Sequence, residues 1–200
     1  MYWVFFDSVR MTSLVPSFPR GGCYNAKMMR LSVPFLFGCA ALIAAMNFHP
    51  RYEAGGQMMI PEGYRQWQFV GSNMGIGYDA SIKKGTFKNI YILPEAYQAF
   101  KSTGKFPDKT VLVMEVFSAG EKASPAKIGQ FEEKFLGIEA AVKDEAKFPT
   151  EKWAYYNFIG QGGGALKSAK AFPKEACWNC HNEHAKVDNV FVQFYPALRD

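Results

Sequence analysis

Cysteine and histidine are scarce in this chain of 200 residues, with four of the former and three of the latter. An exported chain that kept only two of the cysteines would have no disulfide framework. Charge is also nearly balanced, at 23 basic against 18 acidic residues, so the composition describes neither a nucleic-acid-binding polycation nor an acidic tail. The longest apolar run falls short of the ~20 residues that span a bilayer as a helix. Glycine and proline do not recur with a period, which excludes collagen, and the composition likewise excludes a coiled coil or long disordered tails. What remains is one globular domain of ordinary size with a short appendage. Its 18 Phe, 10 Tyr and 4 Trp bias it toward strands or toward a large flat ligand.

That apolar run, residues 31–46 (LSVPFLFGCAALIAAM), follows Lys27 and Arg30. A basic start, an apolar stretch and then small residues is the layout of a secretory signal, with an uncleaved anchor as the alternative. Cleavage is plausible after Ala45. Met28 or Met29 reads as the true start, since residues before it make a poor signal head. The expected organisation is therefore an upstream extension plus signal peptide over 1–45, an N-terminal linker over 46–60 and a folded domain over 61–200. Export would remove four basic residues and one acidic residue, leaving 19 against 17 and a net charge of +2. Cys23 and Cys39 would leave too.

Only Cys177 and Cys180 then remain, and they sit in Cys177-Trp178-Asn179-Cys180-His181. This is C-x-x-C-H, the attachment pattern for haem c. Two thiols one helical turn apart reach the two vinyl groups on one porphyrin edge and form thioethers. The adjacent His181 then ligates iron from the proximal side. A thioredoxin-type disulfide would need a βαβ unit before the motif, which is lacking here. Zinc would need His184 as a fourth ligand.

The other iron face has few candidate ligands. His184 lies on the same local turn as His181, and His49 lies near the expected mature terminus. A bis-His electron carrier is disfavoured. Met58, Met59, Met74 or Met114 could supply a sixth ligand, although methionine more often fills core gaps. Without such a ligand the iron keeps an open position for a small molecule.

The pattern predicts an α+β fold, an antiparallel sheet with added helices and haem between the sheet and the C-terminal helical turn. Strands are expected over 87–93, 110–118, 134–142, 152–159 and 190–195. Helices are expected from Pro94 to a stop at Gly104 and over 165–172. In the strand 110–118, Leu112, Met114 and Val116 share one face, and Val113, Glu115 and Phe117 the other. Both faces are apolar, so Glu115 must be paired, near an edge or at a subunit contact.

In order and spacing, residues 61–71 (PEGYRQWQFVG), 90–116 (IYILPEAYQAFKSTGKFPDKTVLVMEV), 137–144 (GIEAAVKD), 153–159 (WAYYNFI) and 177–198 (CWNCHNEHAKVDNVFVQFYPAL) resemble the cytochrome P460 family. The resemblance implies a periplasmic, β-rich, usually homodimeric protein with one haem c, held by Cys177 and Cys180 and ligated by His181. Hydroxylamine-oxidising members link a lysine of the TVLVMEV strand to the porphyrin, and here that position is Met114. Nothing in the sequence puts Lys83, Lys84 or Lys88 at the ring. The missing lysine turns the resemblance toward the cytochrome c′-beta branch, which binds nitric oxide and carbon monoxide beneath apolar aromatic caps. Phe87 is the candidate cap and Phe117 a weaker one. Glu139 corresponds to a glutamate that assists proton transfer in the enzymes, which keeps open an oxidoreductase acting on hydroxylamine or nitric oxide. An electron-transfer cytochrome with a Met sixth ligand is the third reading. The redox partner is unspecified, and no nucleic-acid partner is implied.

Overall fold

Runs of β-branched and aromatic residues build the middle of the chain into a sheet. The structure is a computed structural model and describes residues 48–77, 85–121, 125 and 127–199. The expected signal run, both candidate start methionines, Cys23, Cys39, Lys83 and Lys84 lie outside the described residues. Five strands make one antiparallel meander in chain order: β2 (Gln68–Met74), β3 (Thr86–Ile92), β4 (Val111–Glu121), β5 (Gln130–Lys143) and β6 (Trp153–Asn157). A second, two-stranded sheet pairs β1 (Met58–Met59) with β7 (Ser168–Ala169). Together with a few short helices, this is the α+β, antiparallel architecture expected. Among the described residues no helix is long and apolar enough to cross a membrane.

Between β3 and β4 runs α1 (Pro94–Thr103). Pro94 sits in its first turn, where a missing N–H costs nothing. Gly104 ends it in the left-handed conformation (φ 71°), with its N–H on the Phe100 carbonyl at 2.7 Å. Phe100 then stacks on Phe106 at 4.2 Å between centroids, inside the buried core.

Register sorts the side chains between the two faces, because directly paired residues share a face. Ile90, Met114 and Glu139 form one row. Ile92, Leu112, Ala141 and Tyr155 form the next. Asn73, Lys88 and Val116 form the row on the other side. The opposite face carries Phe87 beside Phe117, and Glu115 beside Ile138. There Glu115 is 3% exposed and paired. It accepts from the Tyr64 hydroxyl and the Arg65 Nε, both at 2.7 Å, and from the Arg65 Nη2.

Near Gly137 the β4–β5 register shifts, and Gly137 itself has φ 142°. A Cβ there would stand 2.9 Å from the Gly164 carbonyl oxygen and 2.9 Å from the Ile159 Cα. Only glycine lets the 160–164 turn come this close to the bent strand.

Three expectations need correcting. Residues 165–172 are extended, not helical. The Leu166 N–H donates to the Phe158 carbonyl and the Phe172 N–H to the Tyr155 carbonyl, at 2.7 and 2.8 Å. The segment covers the open edge of β6, and those long-range pairings override the helix preference of its alanines and lysines. Residues 190–195 hold a 3₁₀ turn, Val192–Phe194, in place of a strand. The stretch 46–60 is no linker where it is described. Phe48 packs edge-on against Trp67 at 4.9 Å, and Met58 is fully buried.

Candidate functional site

After the extended segment the chain turns into α2 (Trp178–His184), with Cys177 as its N-cap. The helix is short and its ends are held by side chains. The Trp178 indole donates to the Glu151 carbonyl at 2.8 Å, and Lys174 lies 4.4 Å from the Trp178 ring centroid. Cys177 and Cys180 are half-buried free thiols on the rim of a cavity of about 510 Å³. Burial, with the nearby Glu139 and Cys180 charges, raises the Cys177 thiol above its usual value.

His181 occupies the same wall. Its Nδ1 lies 2.8 Å from the Asn189 carbonyl oxygen. A carbonyl only accepts, so Nδ1 carries the proton and Nε2 keeps its lone pair. The imidazole is flanked by the Tyr155 and Phe191 rings at 4.2 and 4.4 Å. Burial lowers its pKa, and the Asn189 contact opposes that only in part.

The Asn189 carbonyl is placed by a partly buried ion pair. Lys143 donates to the Asp188 Oδ2 and to the Phe106 carbonyl, both at 2.8 Å. The Trp153 indole donates to the Asp188 Oδ1 at 3.2 Å. Asp188 and Asn189 both take positive φ, 44° and 62°. This strained turn aims the Asn189 carbonyl at His181 and also at the Tyr155 hydroxyl, which donates to it at 3.1 Å.

The sheet supplies the facing wall, with Ile90, Leu112, Met114, Glu139 and Ala141 along it. Burial raises the Glu139 carboxyl above its ordinary value, and the Lys88 charge offsets part of the rise. Cys177, Cys180, His181, Met114 and Glu139 thus line one cavity. Phe87 does not line it. Its register partner is Phe117, on the face turned away from Met114, and the residue that turns inward is its neighbour Lys88. Strand parity counted from Ile90 is the signal that would have found Lys88. His184 is exposed, beside Glu183 at 3.8 Å, and among the described residues no three His, Cys, Asp or Glu side chains converge as a metal cage.

The residues fit the haem that the motif implies. The cavity volume lies in the cofactor range, its centre is apolar, and an imidazole lone pair stands beside two thiols. It also contains polar atoms that lack a partner, the buried Asn189 Nδ2 and Asn73 Oδ1. A buried donor without a partner is costly, and a carboxylate carried by the ring would accept from the Asn189 Nδ2.

Residues 61–192 match the family model for cytochrome P460. A search of curated proteins finds no match.

Proposed function

Because the chain belongs to the cytochrome P460 family, we propose that it is a periplasmic protein that holds one haem c through thioethers from Cys177 and Cys180. It binds nitric oxide, and carbon monoxide, on the iron face opposite His181. When bound, haem supplies an iron that coordinates such small molecules and exchanges electrons. The observation that carries this reading is the sheet wall of the cavity, which offers no imidazole to fill the opposite position. Asn189 keeps the His181 Nε2 free, and Tyr155 and Phe191 fix the plane of its ring. Ile90 and Leu112 supply apolar surface to the sheet wall. Export rests on the basic and apolar run before residue 47, and a homodimer is expected from the family.

Two other readings each have an observation behind them. Glu139 on the cavity wall, held protonated to higher pH by burial, favours an oxidoreductase of hydroxylamine or nitric oxide that uses it as proton carrier. Met114 on the same wall favours an electron carrier with a thioether sixth ligand. Absorption spectra of the purified protein separate the three. The gas-binding reading expects an ordinary haem c spectrum and a ferrous form that takes up both carbon monoxide and nitric oxide. A strongly red-shifted ferrous Soret band would mean a ring cross-link and return the oxidase. A low-spin spectrum indifferent to carbon monoxide would leave the electron carrier.

A further inference from the structure

Among the described residues Lys88 is the only Lys or Arg lining the cavity. It is half-buried and makes no ion pair among the described residues. Its one hydrogen bond runs from Nζ to the Ile76 carbonyl at 2.6 Å. An ammonium has three N–H donors, so two remain. Directly across the β2–β3 register stands Asn73, whose Oδ1 is buried and without a partner. A cation with no ion pair on the wall of a partly apolar cavity attracts an anion more strongly than it does in bulk water. Among the described residues the cavity has one carboxylate, Glu139, which feels the Lys88 charge but lies on a different row of the sheet and makes no ion pair with it.

We propose that Lys88, steadied by Asn73, forms a subsite on the sheet wall for a small oxyanion of nitrogen, so that the cavity takes nitrite as well as neutral diatomics. The proposal rests on the reading above, in which haem iron occupies the cavity. In this subsite the Ile76 carbonyl accepts one N–H, the Asn73 Oδ1, which has no partner in this structure, accepts a second once the ammonium turns toward it, and the third is left for the anion. Asn73 is then a positioning residue for the ammonium. Nitric oxide and carbon monoxide carry no charge and gain little from Lys88.

The test is a pair of spectroscopic titrations of the holoprotein, ferric with nitrite and ferrous with carbon monoxide. The parent is compared with Lys88→Met, Lys88→Arg, Asn73→Leu and the exposed control Lys101→Met. Losing a charge-assisted hydrogen bond weakens binding about tenfold or more. Lys88→Met should therefore weaken nitrite by that factor and leave carbon monoxide within about twofold. Lys88→Arg should restore most of the nitrite affinity, and Asn73→Leu should lower it severalfold. An unchanged nitrite affinity in Lys88→Met overturns the proposal, as does an equal loss for both ligands. A shifted reduction potential with unchanged nitrite affinity also overturns it and assigns Lys88 to a haem carboxylate. A protein without a pyridine haemochrome spectrum overturns the haem reading itself, and the subsite with it.

Discussion

At the scale of single residues, the site divides into local and distant parts. Cys177, Cys180 and His181 are legible because their spacing carries the chemistry within five positions. The Cys177→Ser, Cys180→Ser double variant is expected to release all its haem into acid acetone, whereas the parent retains it. Met114 and Glu139 are found through the family resemblance, and the register sets them side by side. Lys88 could be placed by strand parity from Ile90, whereas Asn73 and the Asn189 carbonyl are not legible, because their roles depend on which strands pair and where the last turn lands. Phe87 shows how sharp that dependence is, since a displacement of one residue turns a strand side chain to the other face. Glu139 also gives a pH prediction. Its carboxyl is raised by burial, so between the ordinary carboxylate value and its native one the folded protein binds the extra proton. Its contribution to stability is complete below the ordinary value and is lost as pH rises through the native one. Glu139→Gln should thus match the parent in melting temperature at about pH 4 and exceed it at about pH 8.

At the scale of elements, α1 begins and ends where the sequence predicts, because Pro94 and Gly104 act on their own backbone. Segment 165–172 does not follow its composition, since its hydrogen-bond partners come from β6, a distant part of the chain. The turn at Asp188 and Asn189 is the element on which the proximal side depends. Asp188→Ala would leave the Lys143 ammonium, 8% exposed as a residue, with only the more exposed Glu145 carboxylate, at 3.7 Å, as counter-charge. Asp188 is itself partly exposed, so the cost is about 2–3 kcal/mol rather than the full value for a buried pair. Urea unfolding measures it. Lys143→Met combined with Asp188→Asn should recover part of the loss, because no buried charge is then left alone.

At the scale of the whole molecule, the chain has two kinds of connection. Every neighbouring pair in the five-stranded sheet is also consecutive along the sequence. The β1–β7 pair, in contrast, joins Met58 to Ala169. Sheets wired to their nearest neighbours close small loops and form early, and connections across most of the chain close late. Hydrogen exchange should show this order, with amides of β1, β7 and the 3₁₀ turn at Val192–Phe194 exchanging well before those of β4 and β5.

The β1–β7 pair therefore works as a late seam. It stitches the start of the described chain to the segment beside β6 after the meander stands. Because Met58 is fully buried there, the seam also plugs one end of the core. The order of assembly is frame first and stitching last.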